Sequence, residues 1–304
     1  MDWVNRYCPL CSSDKSKAEI TAPIQAESNS FNSLVSYWRG FRNKSCFFTY
    51  FRCENCGLLY NKVYFNTSQL QSLYSSMPDN SAGVNLNVLS KTQLGYLNFF
   101  LNNSDGSHPI KLLEIGPDVG LFTHHADNSN IFNSISLVEP NSNVHDVLLK
   151  SITKTESVFL YDNLTNLPNT EKFDLIVGIH VFDHLIDPTD YIDKIKSHLN
   201  PGGYILSVTH DEHSLLRKLL KQKWIPFCLQ HPQLSNFKTI EKLFTKSGFK
   251  VVRISKSVNW FPLSHLINTL LSLLNLPKLN INYLDKINLP VKLGNMISLF
   301  RLEF

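Results

Sequence analysis

Four histidines and four acids crowd two short stretches, Gly178-Ile179-His180-Val181-Phe182-Asp183-His184-Leu185-Ile186-Asp187-Pro188 and Thr209-His210-Asp211-Glu212-His213. A histidine beside a carboxylate is suited to general base work, because its ordinary pKa lies near working pH. Asp183, His184 and His210 are therefore candidate catalytic residues. The plainer alternative is that Asp183 caps or charges a helix start and His184 only packs. A second set of chemistry-bearing residues ligates metal. Cys8-Pro-Leu-Cys11 and Cys53-Glu-Asn-Cys56 are two C-x-x-C knuckles, and each turns two thiolates to one side of a tight loop. Together Cys8, Cys11, Cys53 and Cys56 complete an S₄ set for Zn²⁺. Such a site leaves no position for water, so the metal folds its module and does no chemistry. A redox motif would need only one pair near a βαβ pattern, and neither knuckle has that context. The long gap from Ser12 to Arg52 must hold an excursion that includes the aromatic run Phe47–Phe51. Cys46 and Cys228 read as buried apolar residues.

The third signal is Leu112-Leu113-Glu114-Ile115-Gly116-Pro117-Asp118-Val119-Gly120, an apolar strand, a glycine turn and a helix start. Nineteen residues beyond Gly120, the run Leu137-Val138-Glu139-Pro140 ends another strand in an acid. An acid there can accept hydrogen bonds from ribose hydroxyls. A dinucleotide fingerprint would need glycine at 118 and 121, where this chain has aspartate and leucine. Asp118 repels a pyrophosphate, whereas S-adenosylmethionine (SAM) carries no phosphate and is cationic at its sulfonium and ammonium groups. Glu114 and Asp118 thus favour SAM over NAD.

These residues need a scaffold. Apolar runs at Lys111–Ile115, Ser134–Val138, Glu156–Leu160, Phe173–Ile179 and Tyr204–Val208 alternate with helical stretches, which predicts a doubly wound α/β sheet. Phe237, Ile240, Leu243 and Phe244 line a helix that Ser235 or Asn236 caps, before a strand at Phe249–Ile254. A final strand is expected at Ile297–Leu302. Helices are expected at Thr67–Ser76 and Lys91–Leu101, with a polar loop at Pro78–Asn87 and a turn cluster at Asn102–Pro109. The resulting partition is a zinc-ribbon module over 1–66, a helical connector over 67–109 and a cofactor-binding domain over 110–304. Acceptor-side or lid segments fall around 211–235 and 258–295. Trp260–Leu276 reads as an apolar helix over the domain, or against a partner or membrane surface.

Residues 110–210 resemble a class I SAM-dependent methyltransferase, with its Rossmann-like core. Glu114-x-Gly116-x-x-x-Gly120 is similar to the family's first motif, Glu139 to its ribose acid, Phe173-Asp174-Leu175-Ile176 to its fourth strand and Pro201-Gly202-Gly203 to the turn into its fifth. Asp118 replaces the usual middle glycine. The resemblance implies a cofactor site of Glu114, Gly116, Pro117, Asp118, Gly120, Glu139, Pro140 and His180. It also implies adenine contacts from Asp162 and Asn163, for which a solvated turn is the alternative. It places Asp183 and His184 at a helix start facing the acceptor, and Trp224–Phe227 with His231-Pro232 in an acceptor-side insertion. An N-terminal cysteine ribbon before such a core resembles the nucleotide-sugar C-methyltransferase group, without that group's C-terminal domain.

Composition narrows the choice. In 304 residues, 43% are hydrophobic and 18% charged, which excludes a disordered or fibrous chain. A net charge of +4, from 29 basic and 25 acidic residues, is no strong nucleic-acid signal. The opening MDWVNRYCPLC lacks a signal-peptide pattern, no transmembrane segment is evident, and reduced thiols fit a cytoplasmic protein. The expected function is methylation of a small molecule such as a sugar, glycan precursor or natural-product intermediate. Two alternatives are a ribosomal RNA base methyltransferase that carries a zinc ribbon and a non-catalytic binding module of the same fold. The oligomeric state is not legible.

Overall fold

The computed structural model describes residues 3–38, 46–75, 85–106, 110–273, 276–280 and 283–303. A seven-stranded sheet forms the centre: β1 Ile110–Ile115, β2 Phe132–Val138, β3 Ser157–Tyr161, β4 Phe173–Ile179, β5 Leu199–His210, β6 Phe249–Lys256 and β7 Asn295–Leu302. Its spatial order is β3-β2-β1-β4-β5-β7-β6. The first five are mutually parallel, while β7 runs antiparallel to β5 and β6. Central strands are buried on both faces, as Leu112, Leu113, Leu175 and Ile176 at 0% exposure demonstrate. Their near-continuous apolar sequence follows from that double coverage. The strand order reverses between β1 and β4, and the crevice at those carboxyl ends is where such sheets take ligands.

Among the described residues, the helices of six residues or more are α1 Thr67–Ser75, α2 Leu86–Leu101, α3 Leu121–Asn128, α4 His145–Lys150, α5 Pro188–Lys196, α6 Leu215–Leu220, α7 Phe237–Lys246 and α8 Leu263–Leu273. Asn236 caps α7 in a reciprocal box with Thr239. The buried face of α7 carries Ile240, Leu243 and Phe244, and Phe244 stacks on Phe300 of β7 with centroids 4.0 Å apart.

Three expectations need correction. Asp183 and His184 do not open a helix: α5 starts at Pro188, where Asp187 accepts the Asp190 N–H at 3.0 Å and proline suits the first position. The run Trp260–Leu276 is not one helix. Asn259–Pro262 is a strand paired with Asn288–Val291, and α8 begins only after Pro262, which has no N–H for a helical bond. Helix α2 starts at Leu86, ahead of the expected Lys91, because Asn85 caps it. Most of the expected Pro78–Asn87 loop, and 107–109 of the Asn102–Pro109 turn cluster, lie outside the described residues.

The N-terminal module is built on the antiparallel strands Ser16–Ile20, Tyr50–Cys53 and Leu59–Asn61, and Gln233–Leu234 adds a fourth. The 211–235 segment thus completes the module's sheet. Arg6 clamps the junction, donating to Pro232 O at 3.0 Å, Ile186 O at 2.6 Å, Asn61 O at 3.3 Å and Gln233 Oε1 at 2.8 Å. Leu10, Cys53 and Tyr60 pack in the same apolar cluster as Ile240 and Leu243. No helix among the described residues is long and apolar enough to cross a membrane.

Candidate active site

The loop from β1 to α3 takes left-handed backbone at alternate residues, with φ of +64° at Gly116, +51° at Asp118 and +75° at Gly120. A Cβ on Gly120 would stand 2.6 Å from Leu148 Cδ1 and Ser151 Oγ, so glycine is what lets the loop lie against α4. Aspartate tolerates this conformation better than most side chains, which accommodates Asp118. The Pro117 carbonyl accepts the Gly120 N–H at 2.9 Å and closes the turn. Glu139, at the end of β2, ties the loop to the next strand. Its carboxylate accepts the Asp118 N–H at 3.0 Å and the Asn141 N–H at 2.8 Å. Burial pushes its pKa up, against those two donors.

Glu114 is placed differently from a cofactor-facing acid. It is 2% exposed and accepts the Thr123 hydroxyl, which fastens β1 to α3. Burial pushes its pKa to about 8, so it supplies little negative charge at neutral pH. Pro140 is exposed beyond β2. Asp162 and Asn163 are exposed after β3, where Asn163 Oδ1 caps a short turn through the Thr165 N–H.

Beyond β4 and β5 the structure gathers His180, His184, His210 and His231. The His180 and His210 rings stack with centroids 4.5 Å apart, and His231 lies 4.8 Å from His184 and 5.0 Å from His210. Burial lowers the pKa of all four, to about 4 for His180 and His231 and well below the ordinary value for His184 and His210. They are neutral at pH 7, contrary to the expectation of a base titrating near working pH. Hydrogen-bond bookkeeping then assigns their tautomers. His231 Nδ1–H donates to Pro226 O at 2.7 Å, which leaves its Nε2 to accept His184 Nε2–H at 3.2 Å. His184 Nδ1 in turn accepts the Tyr74 hydroxyl at 3.2 Å. Both nitrogens of His184 are therefore committed.

His210 differs. Its Nδ1–H donates to Asn295 Oδ1 at 2.9 Å, leaving Nε2 with a lone pair and no hydrogen-bond partner among the described residues. Asn295 Nδ2 approaches His180 Nε2 at 3.4 Å, and His180 Nδ1 is buried without a partner among the described residues. His180 also holds a left-handed φ of +56°, the kind of local strain that clusters at functional sites. Asp183 is 1% exposed and accepts the His210 backbone N–H at 2.8 Å. Burial pushes its pKa to about 8.

Asn295 and Tyr74 carry no signal of their own in the sequence. Asn295 reaches the site because the antiparallel register sets it opposite His210, and Tyr74 arrives on α1.

Among the described residues, two groups can hold a metal ion. One ligand atom from each of Cys8, Cys11, Cys53 and Cys56 lies within 4.8 Å of the others. Cys8–Cys56 and Cys11–Cys53 sulfur separations are 3.4 and 3.5 Å, near the edge of about 3.8 Å that a tetrahedral zinc–thiolate site requires. Hydrogen bonding from Cys8 holds the Cys56 thiol below its usual pKa, while that same contact raises Cys8 and burial raises Cys53. His180, Asp183 and His210 also converge within 4.8 Å.

A family model described as a methyltransferase domain matches residues 92–254, more than half of the chain. The chain belongs to the methyltransferase-domain family. This methyltransferase has a class I, SAM-dependent domain as its core. It is 25% identical over 114 residues to the mitochondrial ubiquinone biosynthesis O-methyltransferase of Dictyostelium discoideum, an overlap of 33% of this chain and 35% of that protein. The overlap thus spans about a third of that curated relative's length. Among solved structures, the plantazolicin methyltransferase BpumL, in complex with S-adenosylhomocysteine, covers 77% of this chain and 94% of its own at 13% identity and a TM-score of 0.53. A methyltransferase solved with the Haloferax volcanii Trm112 methyltransferase activator covers 75% and 100%, at 11% identity and the same TM-score. At these identities the likeness is one of fold.

Proposed function

We propose that this methyltransferase transfers the methyl group of SAM to a hydroxyl of a small molecule, a sugar, glycan precursor or natural-product intermediate, with His210 as the proton acceptor. The observation that carries this reading is that the 116–120 loop, Glu139 and a neutral imidazole with an uncommitted Nε2 follow the carboxyl ends of parallel strands of one sheet, β1, β2 and β5. Gly116, Pro117, Asp118 and Gly120 would line the cofactor, and Glu139 would take its ribose through the lone pairs its two N–H donors leave open. When bound, SAM supplies an electrophilic methyl on a sulfonium, so alignment does much of the catalysis. His210 Nε2 takes the acceptor proton, and Asn295 Oδ1 steadies the imidazolium that results. Asp183 positions His210 through its backbone, and His184 is a positioning residue in the Tyr74–His184–His231 chain. Asp162 and Asn163 border the adenine end. The oxygen acceptor is supported by the name of the Dictyostelium relative and the small-molecule class by that of BpumL.

The four cysteines hold a structural Zn²⁺. The metal fixes the module whose sheet takes in Gln233–Leu234, and so fixes the acceptor-side segment. Incubation with methyl-labelled SAM and fractionated cell extract tests the reading: label should appear in one small-molecule fraction and be lost in His210→Ala. Label in RNA, or in no fraction, contradicts it.

A further inference from the structure

A cleft of about 450 Å³ opens between the N-terminal module, α6 and the first turns of α7. Its walls carry Arg52, Arg217, Lys218, Lys238 and Lys242 against two carboxylates, Glu19 and Glu212, and Cys56 of the second knuckle also lines it.

Both carboxylates are already saturated. Glu212, with its side chain 0% exposed, accepts Arg52 Nη1 at 2.6 Å, Arg52 Nη2 at 3.0 Å and Asn236 Nδ2 at 2.7 Å, with His213 Nε2 at 3.1 Å. Glu19 accepts Arg52 Nε at 2.8 Å and Arg217 Nη2 at 2.6 Å. The arginines thus form a fixed, internally paired floor. Lys218, Lys238 and Lys242 stand above it exposed, and no ion pair engages them among the described residues. Lys238 and Lys242 are four residues apart on one helix face, an arrangement that like charges destabilise. Lys218 brings a third ammonium from α6 to the same concavity. Three lysines lining one cavity over a paired floor suit a compact polyanion.

We infer that this cleft is a binding site for a small molecule bearing a diphosphate, whose phosphoryl oxygens accept from Lys218, Lys238 and Lys242. A single phosphate would leave most of the volume empty, and the volume is within the range of small-molecule pockets. The confinement of the charge to one concavity distinguishes the site from an extended nucleic-acid track.

Calorimetric titration of the full chain with inorganic pyrophosphate at low salt tests the inference, with no dependence on methyl transfer. Three proteins are compared: wild type, the cleft variant Lys218→Gln/Lys238→Gln/Lys242→Gln, and the control Lys150→Gln/Lys154→Gln/Lys278→Gln. All three are checked for equal melting temperatures. One pyrophosphate should bind wild type and control alike, and the cleft variant should bind at least about tenfold more weakly. Absence of binding to wild type, or equal binding to all three, overturns the inference. So does a short RNA that displaces pyrophosphate and binds more tightly.

Discussion

The buried carboxyl of Glu114 makes stability depend on pH in a way that one substitution should abolish. Its pKa is about 8 in the folded chain against an ordinary 4.5, chiefly because burial penalises the charged form. Below pH 4.5 the group is protonated in both states and costs nothing. Between pH 4.5 and 8 the unfolded chain loses its proton first, so the folded state is progressively disfavoured as pH rises. The slope is about 1.4 kcal/mol per pH unit, and the total approaches about 5 kcal/mol before both states are ionised. That is a large fraction of the roughly 5–15 kcal/mol that holds a typical protein together. Glu114→Gln keeps the shape and can still accept from Thr123, but does not titrate. Urea denaturation at several pH values between 5 and 8 reads the difference. The variant should gain stability relative to wild type steadily across that interval. Parallel curves for the two proteins would refute the assignment of a buried, neutral Glu114.

Three further outcomes follow from other contacts. Glu139→Gln removes the charge from the acceptor set aside for ribose and should weaken SAM binding about tenfold in calorimetry, while unaltered affinity would place the ribose elsewhere. Arg6→Leu strands the Pro232 and Ile186 carbonyls at a buried junction and should cost about 3 kcal/mol in urea denaturation; a change below about 1 kcal/mol would mean the clamp is dispensable. Elemental analysis should find one zinc per chain, and its removal by a chelator should lower the melting temperature by about 5 °C or more. Metal-free protein with an unchanged melting curve would rule out a structural zinc.

What the sequence made legible is what is local. The strand, turn and helix start of 112–120 are one continuous run, and the acid of Glu139 closes the next strand, so their placement follows from order along the chain. The two cysteine knuckles are legible for the same reason. The helix start after β4 is also local, and there the cap Asp187-Pro188 outweighs the Asp183-His184 pair. The histidine site is another matter. His210 acquires its tautomer from Asn295, a residue 85 positions away brought in by the register of an antiparallel strand. The partners that commit His184, Tyr74 and His231, come from α1 and from the segment that joins the N-terminal sheet. No periodicity announces such pairings. The low pKa of each histidine arises in the same way, from burial by elements distant in sequence.

Calorimetry of the wild-type chain with SAM and, separately, with NADH tests the central claim most directly. The arrangement of Asp118 and Glu139 predicts one SAM per chain and no heat from NADH. Saturable NADH binding, with SAM silent, would contradict it.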